Sequence, residues 1–184
     1  MARQDLYVSD DIHLIATQSA CRELLARYVL ILDLKDWDKL NSIFANNAVF
    51  KRTDMAALDG WLQIQGYFEA LETKRANAGE NHLTCHLLTT ISIDVVGIGS
   101  ATGIAYVLVF RNRMHAEGRP SVLPIKPELM IEYHDQFAQT DIGWRIVVHE
   151  ARHIFRSTCF RQPFDTDEQA RVLAGIHARS LGSV

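Results

Sequence analysis

Asp33 occupies a place where a carboxylate has to be accounted for. In E-L-L-A-R-Y-V-L-I-L-D-L-K-D-W, Glu23 to Trp37, the residues Leu25, Val29 and Asp33 recur at helical spacing, and Tyr28 and Leu32 form the neighbouring stripe. A carboxylate therefore ends an apolar stripe, and a charge aimed into a core costs several kcal/mol unless it is partnered or neutralised. The candidate partner is His86. Tyr28 lies five residues before Asp33, about one and a half helical turns away, so both can border one pocket from offset faces. His82 and His86 spell H-x-x-x-H, but that spacing makes a metal pair only on a helix. Their surroundings read as a strand, on which both would share a face, and no metal site is expected.

These side chains have to be positioned by elements that the sequence also outlines. Ser9-Asp10-Asp11 offers a helix start, and apolar spacing from Ile12, Leu14 and Ile15 runs through Cys21 to Leu34, with a break near Gln18-Ser19. Trp37, Leu40 and Ile43-Phe44 suggest a short second helix. Asn46-Asn47 reads as a turn and Ala48-Val49-Phe50 as a short strand. After a turn at Asp59-Gly60, Leu62, Ile64, Tyr67, Phe68 and Leu71 mark a helix, and Thr73 to Glu80 reads as loop. The character then changes. Leu83 to Val96, Ala101 to Met114, Leu129 to Gln139 and Trp144 to Phe155 are rich in Val, Ile, Thr and Tyr. Turn material separates them at Gly97-Ile98-Gly99-Ser100, Glu117-Gly118-Arg119-Pro120 and Thr140-Asp141-Ile142-Gly143. Short connections between consecutive strands favour an antiparallel meander, and helices followed by strands favour an α+β domain with helices on one face of a curved sheet. Pro163 precedes a helical stretch from Asp165 to Ser180.

Composition bounds the function classes. The 184 residues are 48% apolar and 22% charged with a net charge of -3, ordinary for one soluble domain with a sizeable core. Lys and Arg are scattered, so no nucleic-acid footprint is visible. No run reaches membrane-spanning length and the first residues lack a signal-peptide core. Cys21, Cys85 and Cys159 are an odd set without C-x-x-C, which favours a reducing, cytoplasmic setting and inert packing thiols over a disulfide framework or a nucleophile.

Taken together, R-Y-V-L-I-L-D-L-K-D-W-D-K-L, F-A-N-N-A-V-F, G-W-L-Q-I-Q-G-Y-F, H-L-L-T-T-I-S-I-D-V, I-E-Y-H-D-Q-F and G-W-R-I-V-V, in that order, resemble a SnoaL-like domain of the nuclear transport factor 2-like superfamily. The resemblance covers Ile15 to Phe155, most of the chain, and is carried by order and spacing more than by any one motif. It implies a cone-shaped α+β barrel over residues 1–160, in which a bent antiparallel or mixed sheet is wrapped by the N-terminal helices around an apolar pocket. Residues 161–184 would be a C-terminal helical extension of the same domain. Members commonly form homo-oligomers, so a dimer or trimer is expected, with residues 125–131 and the extension as candidates for that contact or for a lid.

In the dehydratase and dehydrochlorinase members of that superfamily an Asp late in the first helix pairs with a His at the start of a central strand, and the matching positions here are Asp33 and His86. The resemblance thus implies a general-base dyad. A carboxylate on one imidazole nitrogen fixes the tautomer and raises basicity, and the other nitrogen takes a proton from carbon. Tyr28 matches a tyrosine whose hydroxyl faces the substrate in one dehydratase member, where a phenol can polarise a carbonyl or a leaving hydroxyl. Thr90 stands where many members carry Asn and is a candidate to line the pocket. His82 and His153 are further candidates for substrate contact. Arg152 is either a substrate-orienting cation or a solvated or interface residue. His134-Asp135 reads as structural. The implied activity is that of a cofactor-independent lyase or isomerase, dehydrating or isomerising a hydrophobic small molecule such as a steroid, polyketide, terpenoid or aromatic-catabolic intermediate. The alternative is a non-catalytic ligand-binding protein or the small subunit of a ring-hydroxylating oxygenase. Those subunits carry an R-H-x-x-x-N strand, and Cys85 replaces its Arg here. The apolar strand A-Y-V-L-V-F also lacks the second acid or base that some members place there.

Overall fold

The computed structural model describes residues 2–80, 82–113, 126–158, 164 and 166–181. Cys159, Pro163, Asp165 and the turn expected at Glu117-Gly118-Arg119-Pro120 lie outside them, as does the first part of the proposed 125–131 contact.

Helix α1 spans Ala2–Leu34 without interruption. Ser9-Asp10-Asp11 therefore lies inside the helix instead of starting it, and the expected break at Gln18-Ser19 does not occur. Gln18 donates from its side-chain amide to the Ile93 carbonyl at 3.1 Å, which gives this polar residue a partner outside the helix and leaves the helical ladder intact. Cys21, Leu24, Leu25, Tyr28, Val29 and Ile31 are buried, whereas Ile12, Leu14 and Ile15 are exposed. The helix ends on Lys35, whose φ is 58°, with the Asp36 amide bonded to the Ile31 carbonyl at 3.1 Å. That six-residue closure over a left-handed residue satisfies otherwise open carbonyls and pins the last turn.

A 3-10 turn follows at Trp37–Ser42. Strand β1 is Phe44–Arg52, β2 is Met55–Asp59 and α2 is Trp61–Asn77. Asn46-Asn47 is not a turn: the pair sits within β1, where the register slips between Phe44 and Val49. Irregular pairing accommodates residues that would otherwise favour a turn. The Thr73–Glu80 loop is likewise corrected, since α2 continues to Asn77, with Ile64, Tyr67, Phe68 and Leu71 buried along one face. Gly60, at φ 83°, makes the bend before it.

The four long strands match their sequence limits closely: β3 His82–Gly97, β4 Ser100–Arg113, β5 Leu129–Thr140 and β6 Gly143–Arg156. They form one mixed sheet in the order β2-β1-β6-β5-β4-β3. The meander is antiparallel, and β1 joins it by parallel pairing with β6. Helix α1 lies against β3 and β6, and α2 against β1. Helix α3, Thr166–Leu181, packs on α2, where the side chain of Ile176 fills the space left by Gly66. None of the described helices is long and apolar enough to cross a membrane.

Candidate active site

Asp33 projects from the pinned last turn of α1 onto β3. Its Oδ1 is 2.6 Å from Nδ1 of His86, and its Oδ2 accepts the His86 backbone amide at 3.0 Å. The end of a helix is an unfavourable place for a negative charge, and two donors from one residue offset that cost. Asp33 and His86 side chains are 19% and 12% exposed, so the pair is sheltered but reachable. With Nδ1 taken by the carboxylate, Nε2 is the nitrogen left for a molecule in the adjoining cavity.

That cavity measures about 110 Å³, is partly open, and has His86, Tyr28, Leu32, Phe50, Phe68 and Ile131 among its walls. Tyr28 is almost fully buried, and burial, with Tyr133 and Asp135 adding, holds its hydroxyl far above the ordinary phenol range. Tyr133, also on the wall, is raised by burial and by Asp135 and Asp33. Two neutral phenols with centroids 5.9 Å apart therefore face the cavity region as hydrogen-bond donors. Tyr133 was not singled out from sequence, although the inward alternation Leu129, Ile131, Tyr133, Asp135, Phe137 was there to find it.

The remaining candidates divide. His153 lines the cavity. Burial pulls its pKa down to about 4, against Asp54, which raises it. His82 is outside the wall and is lowered by burial and by Arg111. Thr90 is exposed and also outside the wall. Thr84, His86 and Leu88 face inward at period two, but a bulge between Leu88 and Thr90 shifts the register, so Ile91 and Ile93 take the inward places and Thr90 turns out. Arg152 is exposed and bonds Glu150 at 2.7 Å and His134 at 3.3 Å, on the face of the sheet away from the cavity. It forms a surface ion pair outside the cavity wall, the solvated alternative of the two expected for it. The apolar pocket expected from the resemblance also needs correction, because Lys35, Arg52, Arg75, Arg111 and Glu72 contribute to its wall. Cys21 is pushed up to about 11 by burial and Asp135, and burial also raises Cys85, with Asp33 adding. Both stay protonated thiols.

A second Asp–His pair lies deeper. His149 Nδ1 is 2.6 Å from Asp135 Oδ1, with both side chains fully buried. Asp135 Oδ2 and His149 Nε2 have no hydrogen-bond partner among the described residues. The imidazole is packed by Tyr133 at 4.5 Å, Tyr28 at 4.7 Å and Phe50 at 5.3 Å. Strict alternation on β6 puts His149 opposite Ile146. A register shift near Val147 brings both inside, which is why His149 was not seen as the partner of Asp135, itself read as structural from the sequence. Among the described residues no three His, Cys, Asp or Glu side chains gather as a metal site.

A sequence model of the SnoaL-like domain matches residues 14–149, and the chain belongs to that family. No curated protein matches it. Among solved structures, an NTF2-like protein with a cystatin-like fold from Novosphingobium aromaticivorans is 22% identical, with 86% of this chain and 95% of that one covered and a TM-score of 0.65. A candidate scytalone dehydratase from the same organism is 19% identical, covering 83% and 93% at a TM-score of 0.64. A hexachlorocyclohexane dehydrochlorinase of LinA type 3 from Novosphingobium barchaimii is 18% identical, covering 83% and 97% at 0.60. At these identities the likeness shows a shared fold.

Proposed function

We propose that this SnoaL-like chain is a lyase or isomerase that needs no cofactor and removes a proton from carbon in a small molecule held in the cavity. The observation that carries the reading is the two-point clamp of Asp33 on His86 at the cavity wall. Holding both the ring and the backbone of one residue fixes the imidazole plane, the tautomer and the direction of Nε2 before substrate arrives, which is what a general base requires. His86 Nε2 takes the proton, and Asp33 stabilises the imidazolium that results. The phenol of Tyr28, with Tyr133 beside it, donates to the oxygen that enolises or departs. Elimination is the favoured outcome, in keeping with the names of two structural relatives, a dehydratase and a dehydrochlorinase.

The test is a panel of β-hydroxy and β-halo carbonyl compounds, scored for elimination and for exchange of the acidic C–H in D2O by NMR. Turnover or exchange by the native chain, lost in His86→Ala and Asp33→Asn at unchanged circular dichroism, supports the reading. Equal rates in His86→Ala sink it, and binding without exchange by the native chain transfers the cavity to the ligand-binding alternative.

A further inference from the structure

Four cations, Lys35, Arg52, Arg75 and Arg111, contribute to the cavity wall. Lys35 pairs with Glu72, Arg52 bonds Asp54 at 2.5 Å, and Arg111 bonds Glu128 at 3.0 Å. Arg75, half-buried near the end of α2, is the fourth cation on the wall and forms no ion pair among the described residues. Burial is the main cause lowering its pKa and Arg111 is the next, with Glu72, Tyr67 and Glu128 opposing them. A guanidinium has thus been withdrawn from water beside a like charge, and the two carboxylates near it are already bonded to Lys35 and Arg111. Partly buried arginine is ordinarily paired, because its desolvation is otherwise uncompensated. Among the described residues, three of the four wall cations have a carboxylate ion-pair partner and Arg75 has none.

We infer that Arg75, together with Arg111, receives a carboxylate of the substrate, so the molecule that the dyad acts on is a small organic acid with an apolar body. This rests on the reading of His86 as the base. A carboxylate fits better than a phosphate, since a guanidinium fork matches a planar carboxylate. Register places the anion relative to the chemistry. Arg111 pairs with Thr84 across the ladder and its Nε lies 3.4 Å from the Thr84 hydroxyl, whereas His86 pairs with Val109. Thr84 and His86 share a face two residues apart, so the carboxylate is held about 7 Å along the strand from the level of the base. The apolar wall of Phe50, Phe68 and Ile131 takes the body.

The experiment is calorimetric titration of the native chain, Arg75→Gln, Arg75→Lys and His86→Ala with three probes that share a phenyl body: trans-cinnamate, cinnamamide and phenyl phosphate. The native chain is expected to bind cinnamate at least 10-fold more tightly than cinnamamide, and more tightly than phenyl phosphate. Arg75→Gln should erase the preference while leaving cinnamamide within about twofold, and Arg75→Lys should restore part of it. His86→Ala should keep it in full, because the charge is read at a different residue from the base. Equal binding of acid and amide by the native chain, binding of neither, tighter binding of the phosphate, or a preference that survives Arg75→Gln overturns the assignment. A preference for cinnamate in a chain that shows no proton exchange would instead mean that the catalytic reading had failed while the anion site stood.

Discussion

Two Asp–His pairs in one small domain share the same 2.6 Å contact between Nδ1 and Oδ1. What separates them is the fate of the other atoms. Around Asp33 and His86, the second carboxylate oxygen is satisfied by a backbone amide and the ring borders a cavity. Around Asp135 and His149, the second oxygen and the second nitrogen are sealed among aromatic rings with no hydrogen-bond partner among the described residues. A proton carrier must reach a solvent or substrate atom, and of the two pairs only the first has its ring on the cavity wall, which is why the proposed function rests on it. The second forms part of the floor on which Tyr28 and Tyr133 rest, and its polarity is a fixed feature of the core. A short Asp–His contact alone therefore does not identify a catalytic base. The surroundings of Nε2 are what distinguish the two.

The contrast can be broken most directly by exchanging the readouts. His86→Ala should lower turnover by about 10²- to 10⁴-fold with little change in Tm, whereas His149→Ala should cost about 3–5 kcal/mol in denaturant unfolding by stranding a buried carboxylate. If His149→Ala unfolds like the native chain, the distinction is lost. Asp33→Asn keeps an acceptor for the His86 amide but loses the charge, so turnover should fall about 100-fold, and Asp135→Asn should lower Tm further than Asp33→Asn does. Tyr28→Phe removes a donor without disturbing the packing of the ring, and a fall of about 10- to 100-fold in kcat with intact Tm is expected; a change confined to Tm would assign Tyr28 to the floor. The smallest effect concerns acid. His153 titrates near 4 in the folded chain and nearer its ordinary 6.5 when unfolded, so the unfolded state binds the extra proton between those values. Stability should decline as pH falls from about 6.5 toward 4, and His153→Gln should flatten that part of a Tm-against-pH curve.

Much of this arrangement was legible in residue types. The four long strands announced themselves through β-branched and aromatic runs closed by glycine turns, and the Asp33 stripe pointed to a carboxylate that needed a partner. Two of the differences on the sheet arise where its register slips. Thr90 was a candidate through the resemblance, which carries no account of the slip near Leu88 that turns it out, and strict alternation on β6 sets His149 opposite Ile146 until the slip near Val147 brings both inside. A bulge leaves no signature in a run such as Leu87-Leu88-Thr89-Thr90, since its cause is the curvature of neighbouring strands. The set of cations on the cavity wall was invisible for a related reason. Arg52, Arg75 and Arg111 come from β1, α2 and β4, far apart in the chain, and only the closed sheet makes them neighbours.

The parallel pairing of β1 with β6 has a consequence for how the molecule assembles. The meander from β3 to β6 joins neighbours in sequence and can zip from its turns, but β1 has to find β6 across a long loop; Thr53 and the His153 amide it accepts are 100 residues apart. Loops of that span close late and slowly. Hydrogen exchange during refolding should therefore protect β4 and β5 before β1, and the cavity, which needs Phe50 and Arg52 for one wall, should acquire its ligand affinity only with the last phase.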